Sequence, residues 1–308
     1  MTGFLTANGA ATELPELLQW NIRLTDGDPC DAFSLSFAFR LEYREVLQKA
    51  DGFFAVEGSR RVFTGVVDDY ELSLTKNGCL AEVTGRGLAA KLLDTQVRAA
   101  EYLSAQIEDI LREYVTPCGI TRVETGEFSP VANFVVETGY TCWQVLAGFC
   151  RHSAGVFPRF REDGTLVLKK ETPKGSIVLR DRAEAAWYSD DRYTEIARQI
   201  LINTRNGQMQ EAKNDLFLAR GGSRVRVAGW TGNKIRAVWR TAAQRIEDAE
   251  RSARTLSLRI PGIFLAFPGD RVQAEESALG ISGSFTVQAA ESACDETGRT
   301  CLLTLREE

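Results

Sequence analysis

The stretch RVFTGVVDDYELSLTKNGCLAEVTGRG, residues 61–87, decides the fold class. Val66, Tyr70, Leu72 and Leu74 mostly keep a period of two, so one side of the segment faces a core and the other faces water. Lys76-Asn77-Gly78 then supplies a tight turn into a second apolar run at residues 80–84. Asn-Gly suits that turn because a type I′ loop requires positive φ at both central residues. The reading is a long-armed antiparallel hairpin.

Working outward from it, Trp20, Ile22 and Leu24 alternate, as do Leu35, Phe37 and Phe39, and each run is bounded by turn formers. From about residue 88 the period changes. Residues 88–93 predict a short helix where the chain leaves the sheet through Gly85 and Gly87. Ile107, Ile110, Leu111, Tyr114 and Val115 have helical spacing, with Ser104 as the expected N-cap and Pro117 and Gly119 ending the run. A second helix is predicted where Thr141 and Gln144 form a capping box, Cys142, Val145, Leu146, Phe149 and Cys150 line one face, and Gly155 ends it. Asp163-Gly164 between residues 157–161 and 165–169 is another hairpin signal. Strand patterns return at residues 200–203, 224–227, 270–274, 284–289 and 300–305. One amphipathic helix interrupts them, with Ala242, Ala243, Ile246, Ala249 and Ala253 on one face and Arg245, Asp248, Glu250 and Arg251 opposite or beside it as a solvated face. No solenoid-length repeat is legible. The expected fold is mainly β: two tube-like antiparallel β-barrel domains, 1–94 and 176–308, flank a small α+β insert, 95–175.

Composition narrows the function. The 308 residues carry 37 Lys and Arg against 42 acids, a net charge of −5, which provides no basic field for holding nucleic acid. With 44% hydrophobic and 26% charged residues, the chain has the composition of a folded globular protein. The longest apolar stretches, residues 53–56 and 263–267, fall far short of the ~20 residues a membrane-spanning helix needs. Residues 1–14 lack the basic start and apolar run of a secretory signal, so synthesis and folding in the cytosol are expected. The seven cysteines are scattered without a Cys-x-x-Cys pair, and a single histidine could assist in binding metal; buried reduced thiols are expected, with no metal and no cofactor.

Candidate chemistry is sparse. His152 is the only histidine available as a base and lies at the end of the predicted Cys142–Cys150 helix, where a cap or surface role accounts for it. Cys150, two residues away, cannot face it squarely on a helix. The acid pairs Asp68-Asp69, Asp190-Asp191 and Glu275-Glu276 single out no cleft, and neighbours in a strand point to opposite faces. Gly85-Arg86-Gly87 lacks the third glycine of a dinucleotide fingerprint, and no Walker-type motif occurs. Trp143, Trp187, Trp230 and Trp239 are read as core or interface aromatics rather than ligand platforms, with Trp230 in Gly229-Trp230-Thr231-Gly232 the best candidate for an exposed one. No catalytic residue is assigned.

Residues 63–69 (FTGVVDD), a hairpin, residues 83–87 (VTGRG) and Leu92-Leu93-Asp94 together resemble the N-terminal barrel signature of phage tail baseplate hub proteins, including the Mu-like and defective-prophage types. The helix at residues 242–254, Pro261-Gly262, Pro268-Gly269-Asp270 and residues 281–287 ahead of 302–305 are similar to the closing barrel of that family. The resemblance implies a virion structural protein of a phage-like tail. In it, three copies would form a pseudo-sixfold ring joining the tail tube to the central spike. The implied partners are the chain itself as a homotrimer, the spike protein, and tail tube or distal tail and tape-measure proteins. DNA would be only transient cargo through a non-basic lumen. Hydrolase domains fused to some hubs have no segment left here once the barrels and insert are assigned. The competing readings are a tail-associated cell-wall hydrolase and a carbohydrate- or receptor-binding β module.

Overall fold

The computed structural model describes residues 1–26, 31–76, 78–170, 176–204, 207–230 and 241–307. Cys30, Asn77, Thr231, Gly232 and Trp239, which figure in the sequence reading, lie outside the described residues.

The quoted stretch forms the predicted hairpin. In chain order the first elements are β1 (Thr2–Ala7), β2 (Ala10–Glu13), β3 (Leu17–Thr25), β4 (Ala32–Ala38), α1 (Arg44–Lys49), β5 (Gly52–Glu57), β6 (Arg60–Thr75), β7 (Gly78–Gly87) and α2 (Ala89–Leu93). Six of the strands pair in the order β1-β5-β6-β7-β4-β3, all antiparallel, with β2 outside β1. Their inward residues, among them Leu5, Ile22, Phe33, Leu35, Phe37, Phe53, Phe63, Ala81 and Val83, make one buried core. The ends of the path come together: a side chain added at Gly3 in β1 would touch Leu17 in β3, and Leu17 packs against the shared core. The sheet therefore curls into a tube whose seam is closed by packing.

A bulge between Val67 and Asp69 explains why the period of two was imperfect in β6. Phe63, Gly65 and Val67 point inward before it, whereas Tyr70, Leu72 and Leu74 share a face after it, because one inserted residue reverses the alternation.

The middle of the chain has a separate core. β8 (Ala100–Ala105) pairs with β10 (Val131–Val136), and β9 (Val123–Thr125), β11 (Arg159–Phe160) and β12 (Leu166–Leu168) form a three-stranded sheet. They enclose α3 (Ile107–Ile110), which continues as a π-helical turn through Val115, and α4 (Cys142–Ala154). The capping box of α4 is present as expected, with Gln144 N–H donating to Thr141 Oγ1 at 3.1 Å and Gly155 left-handed at φ 62°. The cap of α3 differs from expectation. Ser104 lies in β8 opposite Ala132, so its backbone is committed to a ladder, and Gln106 with Asp109 forms the capping box instead.

After β13 (Ser176–Arg180) and β14 (Ala185–Asp190), the strands expected near 200 and 225 leave the large sheet. β15 (Arg198–Asn203), β16 (Met209–Lys213) and β17 (Val225–Trp230) form their own three-stranded sheet, joined by α5 (Asp215–Ala219), which was not anticipated, and by α6 (Ala242–Ala253). Ile246 and Ala249 of α6 pack with Ile196, and Ala242 packs with Leu201. Of the apolar face read in the sequence, Ala242, Ile246 and Ala249 cover this small sheet, whereas Ala243 is exposed and Arg245 and Asp248, expected on a solvated face, are partly buried because they face the cleft beside the sheet. The remaining strands, β18 (Arg254–Pro261), β19 (Arg271–Glu276), β20 (Ile281–Asp295) and β21 (Gly298–Glu307), complete a second unit with the order β13-β19-β20-β21-β18-β14 around a core of Leu256, Leu258, Val272, Phe285, Val287, Leu303 and Leu305. The molecule is mainly β, with a minor helical part.

Both six-stranded units have the same plan. Numbered by their appearance in each, the strands run first, fourth, fifth, sixth, third, second. The fifth and sixth strands agree residue for residue: Gly65↔Gly87, Asp69↔Thr84 and Thr75↔Gly78 in β6 and β7 correspond to Phe285↔Glu307, Ala289↔Thr304 and Asp295↔Gly298 in β20 and β21. The bulge recurs between Val287 and Ala289, and Gly78 and Gly298 have φ of 122° and 125°. One direction differs: β1 is antiparallel to β5, whereas β13 is parallel to β19. The extra arm β2, entered through Asn8 and Gly9 at positive φ, adds one reversal before β3, so the first strand enters the opposite way.

Candidate functional site

The residues that carry the resemblance come together as a clamp. Arg86 on β7 donates from Nε to Asp68 Oδ2 at 2.6 Å and from Nη2 to Asp68 Oδ1 at 2.8 Å, while Nη2 and Nη1 reach Asp94 at 2.7 and 3.1 Å. Hydrogen bonds to Asp68 and then Asp94 raise the guanidinium pKa, and the bond from Arg86 lowers that of Asp94. Asp68 is the residue inserted at the bulge, which turns its side chain toward Arg86. The two glycines of the motif serve close approach. A Cβ at Gly65 would lie 2.2 Å from the Arg86 carbonyl, and one at Gly85 2.0 Å from the Val66 carbonyl and 2.5 Å from the Phe33 ring. The motif is thus an architectural lock where the tube hands the chain to α2.

The other candidates are not brought together. His152 is exposed on the last turn of α4, with partial desolvation holding its ring below the ordinary pKa. Cys150 is buried in the insert core, where desolvation pushes its thiol up; Cys142 is pushed up to about 12, by burial first and then by Cys118, whose Sγ is 4.0 Å away. Such thiols are poor nucleophiles. Asp190 accepts from Arg220 at 2.5 Å, and Asp191 accepts from Tyr193 N–H at 2.9 Å and Thr194 Oγ1 at 2.6 Å. Glu276 is buried, and desolvation followed by nearby Asp181 raises its pKa. Sequence reading missed Glu195, a fully buried carboxylate within 3.4 Å of Arg220 and 3.8 Å of Arg254. No local pattern marks it, because its partners come from α5's end and β18. Trp143 is core, and Trp187 is exposed on β14. Among the described residues no group of three or more His, Cys, Asp or Glu is placed to hold a metal, and no helix is long and apolar enough to cross a membrane.

A cleft of about 740 Å³ lies where the insert, the small sheet and the junction of the two tubes meet. Arg151, Arg226, Arg245 and Arg306 line it together with Asp26 and Asp248. Its lining is that of a polar seam between units.

The most developed surface is the junction itself. Beyond its bulge, β20 leaves β19 and pairs antiparallel with β3, from Ala289↔Thr25 to Cys294↔Trp20. This single ladder joins the two tubes into a 13-stranded sheet. Asn21 Nδ2 donates across it to Glu291 Oε1 at 2.6 Å. Phe264, on the loop between β18 and β19, stacks on Trp20 at 5.6 Å, and the Arg60 guanidinium lies 3.8 Å over Phe267. The junction is therefore a built interface between like units, with backbone pairing, aromatic packing and a charge-assisted hydrogen bond.

Neither the family models nor the curated protein sequences compared with the chain give a match. Solved structures do. A tail protein from Neisseria meningitidis MC58 is similar over 100% of this chain and 96% of its own, with a TM-score of 0.80 at 17% identity. The 43 kDa tail protein of prophage MuSo2 from Shewanella oneidensis is similar over 100% and 98%, with a TM-score of 0.77 at 17% identity. The E. coli c3393 protein, described as a type VI secretion component structurally similar to T4 tail proteins gp27 and gp5, is similar over 99% and 76%, with a TM-score of 0.60 at 14% identity. The chain has the fold of phage-type tail proteins. That likeness extends from end to end, through both tubes, the insert and the small sheet.

Proposed function

We propose that this chain is a structural subunit of a phage-like tail baseplate: a hub protein, three copies of which form a pseudo-sixfold ring between the tail tube and the central spike. The observation that carries the reading is the duplicated plan. A chain holding two six-stranded units of one strand order, side by side in one sheet, presents three copies as six similar units, which is the match a sixfold tube and a threefold spike require. The full-length likeness to prophage tail proteins supports it. On this reading residues 1–94 and 176–308 form the ring and residues 95–175 are a peripheral insert. The protein acts by assembly and not by catalysis, and its place is the tail of the particle. Its partners are the chain itself, the spike, and tube or distal tail components, with DNA passing as cargo.

The test is the mass and shape of the purified chain in solution, with and without the spike protein, by light scattering and particle imaging. A ring-shaped trimer in either condition is expected. A monomer in both, together with cleavage or binding of a glycan or peptidoglycan fragment, overturns the reading.

A further inference from the structure

The two units repeat the same strand order, but their fifth strands are treated differently. Past the bulge of β20, residues 289–294 are covered by β3. Past the equivalent bulge of β6, residues 69–74 pair with β7 on one side, and among the described residues no strand covers the other. β14 is in the reciprocal position. It corresponds to β3, since each is the second strand of its unit and pairs with the third, and it ends the sheet with its outer edge uncovered among the described residues. The residues at both edges are apolar where water would favour polar ones: Leu72 and Leu74 are 41% and 80% exposed, and Trp187 and Tyr188 are 51% and 39% exposed.

We propose that the open edge of β6 in one copy pairs antiparallel with β14 of a second copy, repeating between chains the β20–β3 junction found within one. This rests on the ring reading above and specifies its contact. The register follows from the internal junction. Ser292↔Ile22 becomes Leu72↔Tyr188, Ala293↔Asn21 becomes Ser73↔Trp187, and Cys294↔Trp20 becomes Leu74↔Ala186. Within the chain, Ile22, Trp20 and Ser292 of these pairs are buried and Cys294 is partly so, so the same register would bury Leu72 and Leu74. Leu41, 76% exposed, stands on the loop between the third and fourth strands, the counterpart of the Phe264 loop that stacks on Trp20. The occupant is a second copy because the edge already seats a like unit in its duplicate. An unpaired apolar edge strand is also a surface that proteins cover. The contact is heterologous, so copies add head to tail and close into a ring.

The test uses full-length chain in a Cys79→Ser background, since Cys79 lies opposite Leu74 and is exposed. Leu72→Cys chain is mixed with Tyr188→Cys chain under mild oxidation, with and without the spike protein. A disulfide-linked pair formed in the mixture and absent from either variant alone is expected, and the double variant should give a covalently closed ring. Tyr188→Arg, at an exposed position, is expected to leave thermal unfolding unchanged while weakening self-association by about tenfold or more. Trimeric rings that form without the Leu72–Tyr188 link, or that tolerate Tyr188→Arg, overturn this contact and leave the ring reading standing. A Leu72-to-Leu72 link overturns it in favour of a twofold contact. A chain monomeric in every condition overturns this contact, and one that also binds or cleaves a glycan or peptidoglycan fragment overturns both.

Discussion

Gly65 and Gly85 of the N-terminal unit stand where the C-terminal unit has Phe285 and Leu305, and the difference is made up from the other strands. In the first unit Phe33, Phe53 and Phe63 fill the centre, with ring centroids 4.3 to 6.0 Å apart. By strand register their counterparts in the second unit are Leu256, Val272 and Gly283. One tube brings its bulk from the third, fourth and early fifth strands and clears space with glycine. The other brings it from the later fifth and sixth. What the two share is the packed volume and the hydrogen-bond register, not the residue at each position, because a core needs native density more than a given side chain.

Exchanging volumes tests this account most severely. Leu305→Ala removes a fully buried side chain from the core it shares with Phe285 and Val287, and is expected to cost about 2–5 kcal/mol in denaturant unfolding. If the loss were well under 1 kcal/mol, the second tube would be loosely filled and the comparison would fail. Gly85→Ala adds bulk against the Val66 carbonyl and the Phe33 ring, with an expected loss of about 1–3 kcal/mol. Phe33→Leu, which brings in the C-terminal residue type, should relieve only part of it, since the carbonyl remains.

A smaller difference lies at the lock. Arg86 ties β7 to Asp68 and Asp94, and its counterpart Arg306 follows the same register at the end of β21. The site is a third exposed, so Arg86→Lys is expected to cost about 1 kcal/mol or less in thermal unfolding, the lysine being unable to serve both carboxylates in a fork. A stability unchanged within error would mean that water competes fully for the pair.

The smallest expected effect is a pH dependence confined to the second tube. The Glu276 carboxyl is buried, its Oε1 has no hydrogen-bond partner among the described residues, and its pKa is raised above the ordinary 4.5. The folded chain therefore holds this proton more tightly than the unfolded chain. Its favourable contribution is fully present below about pH 4.5 and is lost as pH rises through the raised folded value. Glu276→Gln should flatten this part of the stability profile, with a gain in melting temperature at pH 7 and almost none at pH 4. An equal gain at both pH values would assign the effect to packing instead of charge.

Much of this was legible before any coordinates because it is local. The hairpin of residues 61–87, the Thr141–Gln144 box and the left-handed Gly155 each depend on residues a few positions apart, and each is found, although the bulge splits the face read in residues 66–74 and leaves Leu72 and Leu74 exposed instead of in the core. Ser104 was misread as a cap because a ladder with Ala132, 28 residues on, competes for its backbone. The strands at 200 and 225 carried a correct pattern but no sign of which sheet they join. By itself, then, the sequence determined most of the elements, the cap of α4 and the class of fold, since these follow from neighbouring side chains and backbone propensity. Only the tertiary structure decided that β20 leaves its own unit to pair with β3, some 270 residues away, that Asp68, Arg86 and Asp94 form one lock, and that the two tubes are copies of one plan. Register and packed volume are properties of strands that meet, and they leave almost no trace in the residues taken one at a time.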